Sequence, residues 1–121
     1  MEIPAFMLKK LYKKGSLTNT DGGVSFIVKN SISPATIIGL DQLLIDGEEV
    51  EIAKVKLITS KSEVNAAEIT EEQSLHVNWN DAITLVVDGL TLASGSHKLA
   101  LTINTRDVGP LTLEVSDTLA G

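Results

Sequence analysis

The chain has no cysteine among its 121 residues. Disulfides, thiolate metal sites and a cysteine nucleophile are therefore excluded. In a small β-rich chain the same absence favours the cytosol over a secreted setting. Aromatic residues make up only 3% of the chain, too few for the stacking platform of a sugar-binding module. There are two histidines, His76 and His97, where a metal site on a double-sheet fold wants several with a carboxylate converging. Basic residues are outnumbered 10 to 16, for a net charge of −6. That balance opposes nucleic-acid binding, which rests on neutralising phosphates. No window approaches 18 apolar residues, so no membrane span is expected. The N-terminus lacks a charged segment followed by an apolar run, so no signal peptide is expected. Phosphate-loop, dinucleotide and nucleophile-elbow motifs are missing as well.

What is present is apolar alternation. Hydrophobic residues reach 43%, enough for a packed core, and the length fits a single domain over residues 1–121. Ile83, Leu85 and Val87, then Leu99, Leu101 and Ile103, then Leu111, Leu113 and Val115 each keep a period of two. Successive strand side chains point to opposite faces, so these three runs read as half-buried strands joined into one antiparallel sheet. Val24, Phe26 and Val28 form another run after the turn Asn19 to Gly23, whose Asn, Asp and Gly tolerate positive φ. The run Ala35 to Ile45 slips in phase, from Ile38 and Leu40 to Leu43 and Ile45. A slip of one residue needs a bulge, placed near Asp41 and Gln42. Asp46-Gly47 is a strong hairpin turn, with Val50 to Thr59 as its return strand. Thr118 to Gly121 reads as a frayed end, and Pro4 suits the first turn of a short helix. The expectation is an all-β fold: one antiparallel sandwich of seven to nine short strands with immunoglobulin-like or jelly-roll connections.

Candidate functional residues are sparse. Leu92 to Leu99 has the form Leu-x-x-Gly-x-His-x-Leu. Immunoglobulin-like sandwiches place a Tyr at such a corner, its hydroxyl bonded to backbone just upstream. Gly95 and His97 are assigned that structural role, with the His97 ring bonding backbone near Leu92 to Ser94. Lys9, Lys10, Lys13 and Lys14 read as a solvated edge strand or short helix whose charges block edge pairing, with an anion or membrane-surface patch as the alternative. The acid pairs Glu48-Glu49 and Glu71-Glu72 fall in turns, where solvation explains them. His76, Asn78, Trp79 and Asp81 form the candidate partner surface. Within an alternating run, the lone Trp79 reads as a core residue; exposed, it would be a hot spot for a partner.

Two resemblances extend this reading. The runs LLIDGEEV, KVKL, AAEI, Trp79 with Asp81, and ITLVVDGLTLASGSHKLALTINTR resemble the small β subunits of C-glycoside deglycosidases. That likeness covers about Leu43 to Arg106. It implies an all-β subunit pairing with a metal-dependent TIM-barrel subunit that carries most of the chemistry, and no catalytic residue of that family maps onto this chain. Lys9 to Asp21 and Pro34 to Gly39 resemble short prokaryotic proteins, some labelled hydroxymethylglutaryl-CoA reductase. The chain is too short for the known reductase fold and lacks a nucleotide motif. The expected function is a non-catalytic, cytoplasmic subunit or binding module acting through protein contact, in one form accessory to a sugar- or glycoside-processing enzyme. No cofactor, metal or catalytic residue is assigned. The alternatives are a small glycoside-related enzyme using His76 and Asp81, and a self-associating structural protein.

Overall fold

A computed structural model describes residues 3–119. Pro4, which has no N–H to lose, precedes a short helix α1, Ala5–Lys9. The alternating runs then become strands β1 (Thr18–Asn19), β2 (Gly23–Lys29), β3 (Ala35–Ile45), β4 (Glu48–Glu49), β5 (Val55–Ile58), β6 (Glu63–Asn65), β7 (Leu75–Val77), β8 (Ala82–Asp88), β9 (Gly95–Thr105) and β10 (Gly109–Leu119). All pairings are antiparallel. One sheet has the order β1-β2-β8-β5-β6 and the other β10-β9-β3-β4, with β7 also paired to β3. The chain is an all-β sandwich of two open sheets, with ten strands among the described residues where seven to nine were expected; two of the ten are only two residues long.

The core lies between the sheets. Phe26, Leu57 and Leu85 come from one sheet and Leu43 and Leu101 from the other, all fully buried. β3 keeps its apolar residues inward despite the phase slip because its pairing with β9 shifts twice, between Ile37 and Gly39 and between Leu40 and Gln42. The second shift is the bulge expected at Asp41. The hairpin turn holds too: Asp46 and Gly47 have φ of 54° and 83°, the two positive values that suit the right-handed twist of the flanking strands.

Three expectations are corrected. The run Val50 to Thr59 is not one return strand. After β4 a 3-10 turn at Ile52–Lys54 carries the chain to the opposite sheet, where β5 begins; the phase slip there marks a change of sheet. Likewise β8 does not pair with β9. It lies between β2 and β5, so the Leu90 to Ser94 connection crosses between the sheets. Alternation fixes which face of a strand is apolar and leaves its neighbours open. Finally, Thr118 and Leu119 are the last rungs of β10, opposite Ser96 and Gly95, and Leu119 is buried. Ala120 and Gly121, also read as frayed, lie outside the described residues.

Candidate functional site

The strand directions sort the loops into two ends. At one end β2 and β7 finish and β3, β8 and β10 begin. Asn30 organises it. Its side-chain Nδ2 donates to the carbonyls of Ser33, Val77 and Asn78, and its backbone N–H donates to the Asp81 carbonyl. The Asn80 N–H donates back to the Asn30 carbonyl. The turn Asn78 to Asp81 is closed by the Asn78 N–H donating to Asp81 Oδ2 at 3.0 Å, and Asn80 has φ 74°.

Trp79 stands on this turn and is 61% exposed. The core placement of Trp79 is thus overturned. The letters Leu75, Val77, Trp79 keep alternating, but β7 ends at Val77 and the positive φ of Asn80 swings the chain away before the pattern completes. His76 and Asn78 are exposed beside it and Asp81 is half-buried. His76 Nδ1 lies 3.2 Å from Thr36 Oγ1 and Nε2 lies 3.0 Å from Asn78 Oδ1. His76 and Asp81 are therefore each engaged with Asn78 and not with each other. Below the turn, an apolar crevice of about 80 Å³ between the sheets is lined by Ile37, Val77, Ile83, Ile103 and Leu111 with Asn30 at its rim. Exposed Val108 lies on the β9–β10 turn at this same end.

At the opposite end the Asp46-Gly47 turn meets the β8–β9 crossing. The His97 side chain is only 11% exposed. Nδ1 lies 2.6 Å from Asp46 Oδ2 and Nε2 lies 2.7 Å from the Ala93 carbonyl. Both oxygens only accept, so the ring is best satisfied with a proton on each nitrogen. Asp46, then the Ala93 carbonyl, raise the His97 pKa above its ordinary 6.5. His97 and the Lys98 backbone N–H in turn hold the Asp46 carboxyl below 3.8. Gly95 opens β9 with φ 120°, a conformation that favours glycine.

Sequence reasoning missed one polar site entirely. The Tyr12 hydroxyl donates to Asp117 Oδ2 at 2.6 Å, and the Gly15 and Leu17 N–H groups donate to the same carboxylate. Asp117 is 5% exposed. Burial pushes its pKa up, but Tyr12 and the N–H groups of Leu17, Thr118 and Gly15 outweigh that and hold it below 3.8. The phenol is pushed up by burial and by Asp117. The partners are 105 positions apart, so no local pattern announces them.

Among the described residues no three His, Cys, Asp or Glu side chains gather where a metal ion would be held, and no helix is long and apolar enough to cross a membrane. What the two ends define is an all-β sandwich that displays its single Trp, Trp79, exposed on a braced turn, while Phe6 on α1 is exposed as well. The chain belongs to the family described as hydroxymethylglutaryl-CoA reductase, N-terminal domain, whose profile matches residues 7–120. This agrees with the second of the two resemblances and leaves the first, to C-glycoside deglycosidase β subunits, without support. No curated protein matches the chain.

Proposed function

We propose that the chain is a non-catalytic cytoplasmic module that acts by docking onto another protein through the Asn78 to Asp81 turn. Trp79 carries this reading: the only Trp is 61% exposed on a turn whose backbone Asn30 braces from below. A large side chain on a preformed turn loses little freedom on binding, and Trp is among the residues that dominate interface energetics. His76, Asn78 and Asp81 supply the polar rim that surrounds such a centre. The family description, an N-terminal domain of an enzyme, fits a module working beside a catalytic part. The enzymatic alternative is not favoured, since His76 is spent on Thr36 and Asn78, and Asp81 on the Asn78 N–H. Accessory work on glycosides rested on the unsupported resemblance and is not carried forward.

The test is affinity purification from the native cell, followed by binding measurements with the purified partner. Trp79→Ala should weaken binding about 30-fold, a hot-spot loss of about 2 kcal/mol, with the melting temperature unchanged. An unchanged affinity, or turnover of glycosides or thioesters by the purified chain, sinks the proposal. A homo-oligomer in light scattering that dissolves on Trp79→Ala would make the partner a second copy.

A further inference from the structure

Away from the Trp79 turn lies an open cleft of about 740 Å³. Three lysines line it from three separate segments: Lys9 from the end of α1, Lys14 from the loop after it, and Lys98 from β9. All three residues are exposed, and among the described residues no carboxylate oxygen lies within 4.0 Å of their ammonium nitrogens. The neighbouring acids are already committed. Asp117 is taken by Tyr12 and backbone N–H groups, and Asp46 by His97 and the Lys98 backbone N–H. In a chain of net charge −6, three lysines around one hollow, none in an ion pair within 4.0 Å among the described residues, form a local reversal of the field, and a concave wall concentrates that potential. The rest of the lining is largely apolar, with Leu44, Ala100 and Val115 beside Tyr12. Glu114 and Ser116 are the polar groups on the β10 side.

We infer that this cleft binds a small organic phosphate, its phosphate held by Lys9, Lys14 and Lys98 and its organic part laid on Leu44, Ala100 and Val115. The volume is within the usual range for small-molecule clefts, roughly 300–1,000 Å³. A long polyanion is disfavoured, because Gly47 at one rim leads directly to Glu48, Glu49 and Glu51, which would repel phosphates extending that way. Glu114 puts the phosphate toward the lysines and leaves a carboxylate free for a hydroxyl or amine of the ligand. This site is separate from the Trp79 turn, so each can fail without the other.

The experiment is an amide NMR titration of the full chain with phenyl phosphate, and with inorganic phosphate in parallel. Saturable shifts should be confined to Lys9 to Ser16, Lys98 to Ala100 and Glu114 to Ser116, with phenyl phosphate binding more tightly because it uses the apolar wall. Lys14→Gln and Lys98→Gln should each weaken binding about tenfold, the usual worth of one charged hydrogen bond. Lys61→Gln, on the β5–β6 turn, and Trp79→Ala should leave it unchanged. Non-saturating shifts spread over every lysine would overturn the inference. So would equal affinity for the two phosphates, or binding to phosphatidic acid vesicles without binding to either soluble phosphate.

Discussion

Tyr12 and Asp117 tie the two ends of the sequence together: the phenol donates a 2.6 Å hydrogen bond to a carboxylate 105 positions later, inside the protein. The bond joins the segment along β2 to the last strand, and so couples an edge of one sheet to an edge of the other. Tyr12→Phe keeps the ring against Phe26 and removes only the donor. A hydrogen bond to a charged group is worth about 1.5–3 kcal/mol, and Tyr12→Phe should lower the unfolding free energy by that amount in urea titration. A loss below about 0.5 kcal/mol would mean water replaces the phenol.

His97 predicts a pH dependence. Its pKa is raised on folding, so its contribution to stability is complete below the unfolded value of 6.5 and is lost as pH rises through the folded value. Asp46 is lowered, so its contribution is present above 3.8 and is lost as pH falls through its folded value. The melting temperature should therefore decline as pH rises above 6.5 more steeply in the wild type than in His97→Gln. His97→Ala at pH 6 should cost on the order of 1 kcal/mol. Parallel curves for wild type and His97→Gln would show that the ring is neutral and that one contact is not a hydrogen bond.

Gly23 is required for a reason unrelated to turns. It pairs with Asp88 on β8, and a Cβ added there would meet the Val87 carbonyl oxygen at 2.0 Å. Backbone cannot move aside as a flexible side chain does, so Gly23→Ala should destabilise by about 3 kcal/mol or more. Gly22→Ala meets nothing within 4 Å and should be nearly neutral. Chemical denaturation of both proteins gives the comparison, and equal stabilities would place β2 farther from β8 than described.

Trp79 offers a direct optical check. Its fluorescence should be red-shifted and readily quenched by iodide in the folded state, and should change little on unfolding. Blue-shifted, protected emission that reddens on denaturation would put the ring in a core after all.

Much of the sandwich is legible in the letters, because alternation directly encodes a buried face. The bulge at Asp41 follows from a broken phase, and the Asp46-Gly47 turn from the two residues that tolerate its φ values. What alternation leaves unstated is which strand lies beside which. That is why β8 reads as the neighbour of β9 when the chain in fact changes sheets between them. The candidate surface at His76 to Asp81 is visible as a cluster of types, yet the exposure of Trp79 depends on one positive φ at Asn80. Two of the cleft's lysines, Lys9 and Lys14, belong to a cluster visible in the sequence, but Lys98 joins them from a remote segment, and the Tyr12–Asp117 contact leaves no local trace.

Asp117 also settles an ambiguity in how β9 and β10 meet. Leu99, Leu101, Ile103 and Leu111, Leu113, Val115 repeat every second residue, so sliding one strand past the other by two would still turn every apolar residue inward. Oil alone leaves several alignments of this hairpin nearly degenerate. A charge among the inward-facing residues does not, since only the observed alignment, Asp117 opposite His97, brings the carboxylate to Tyr12, Gly15 and Leu17. Any other alignment would bury it away from those partners, at a cost of several kcal/mol. The acid thus works as a locating pin: with Asp117→Leu the ribbon should still form but populate shifted alignments, visible as doubled amide resonances along β10, and a single set of resonances would show that the Thr105 to Gly109 turn alone fixes the alignment.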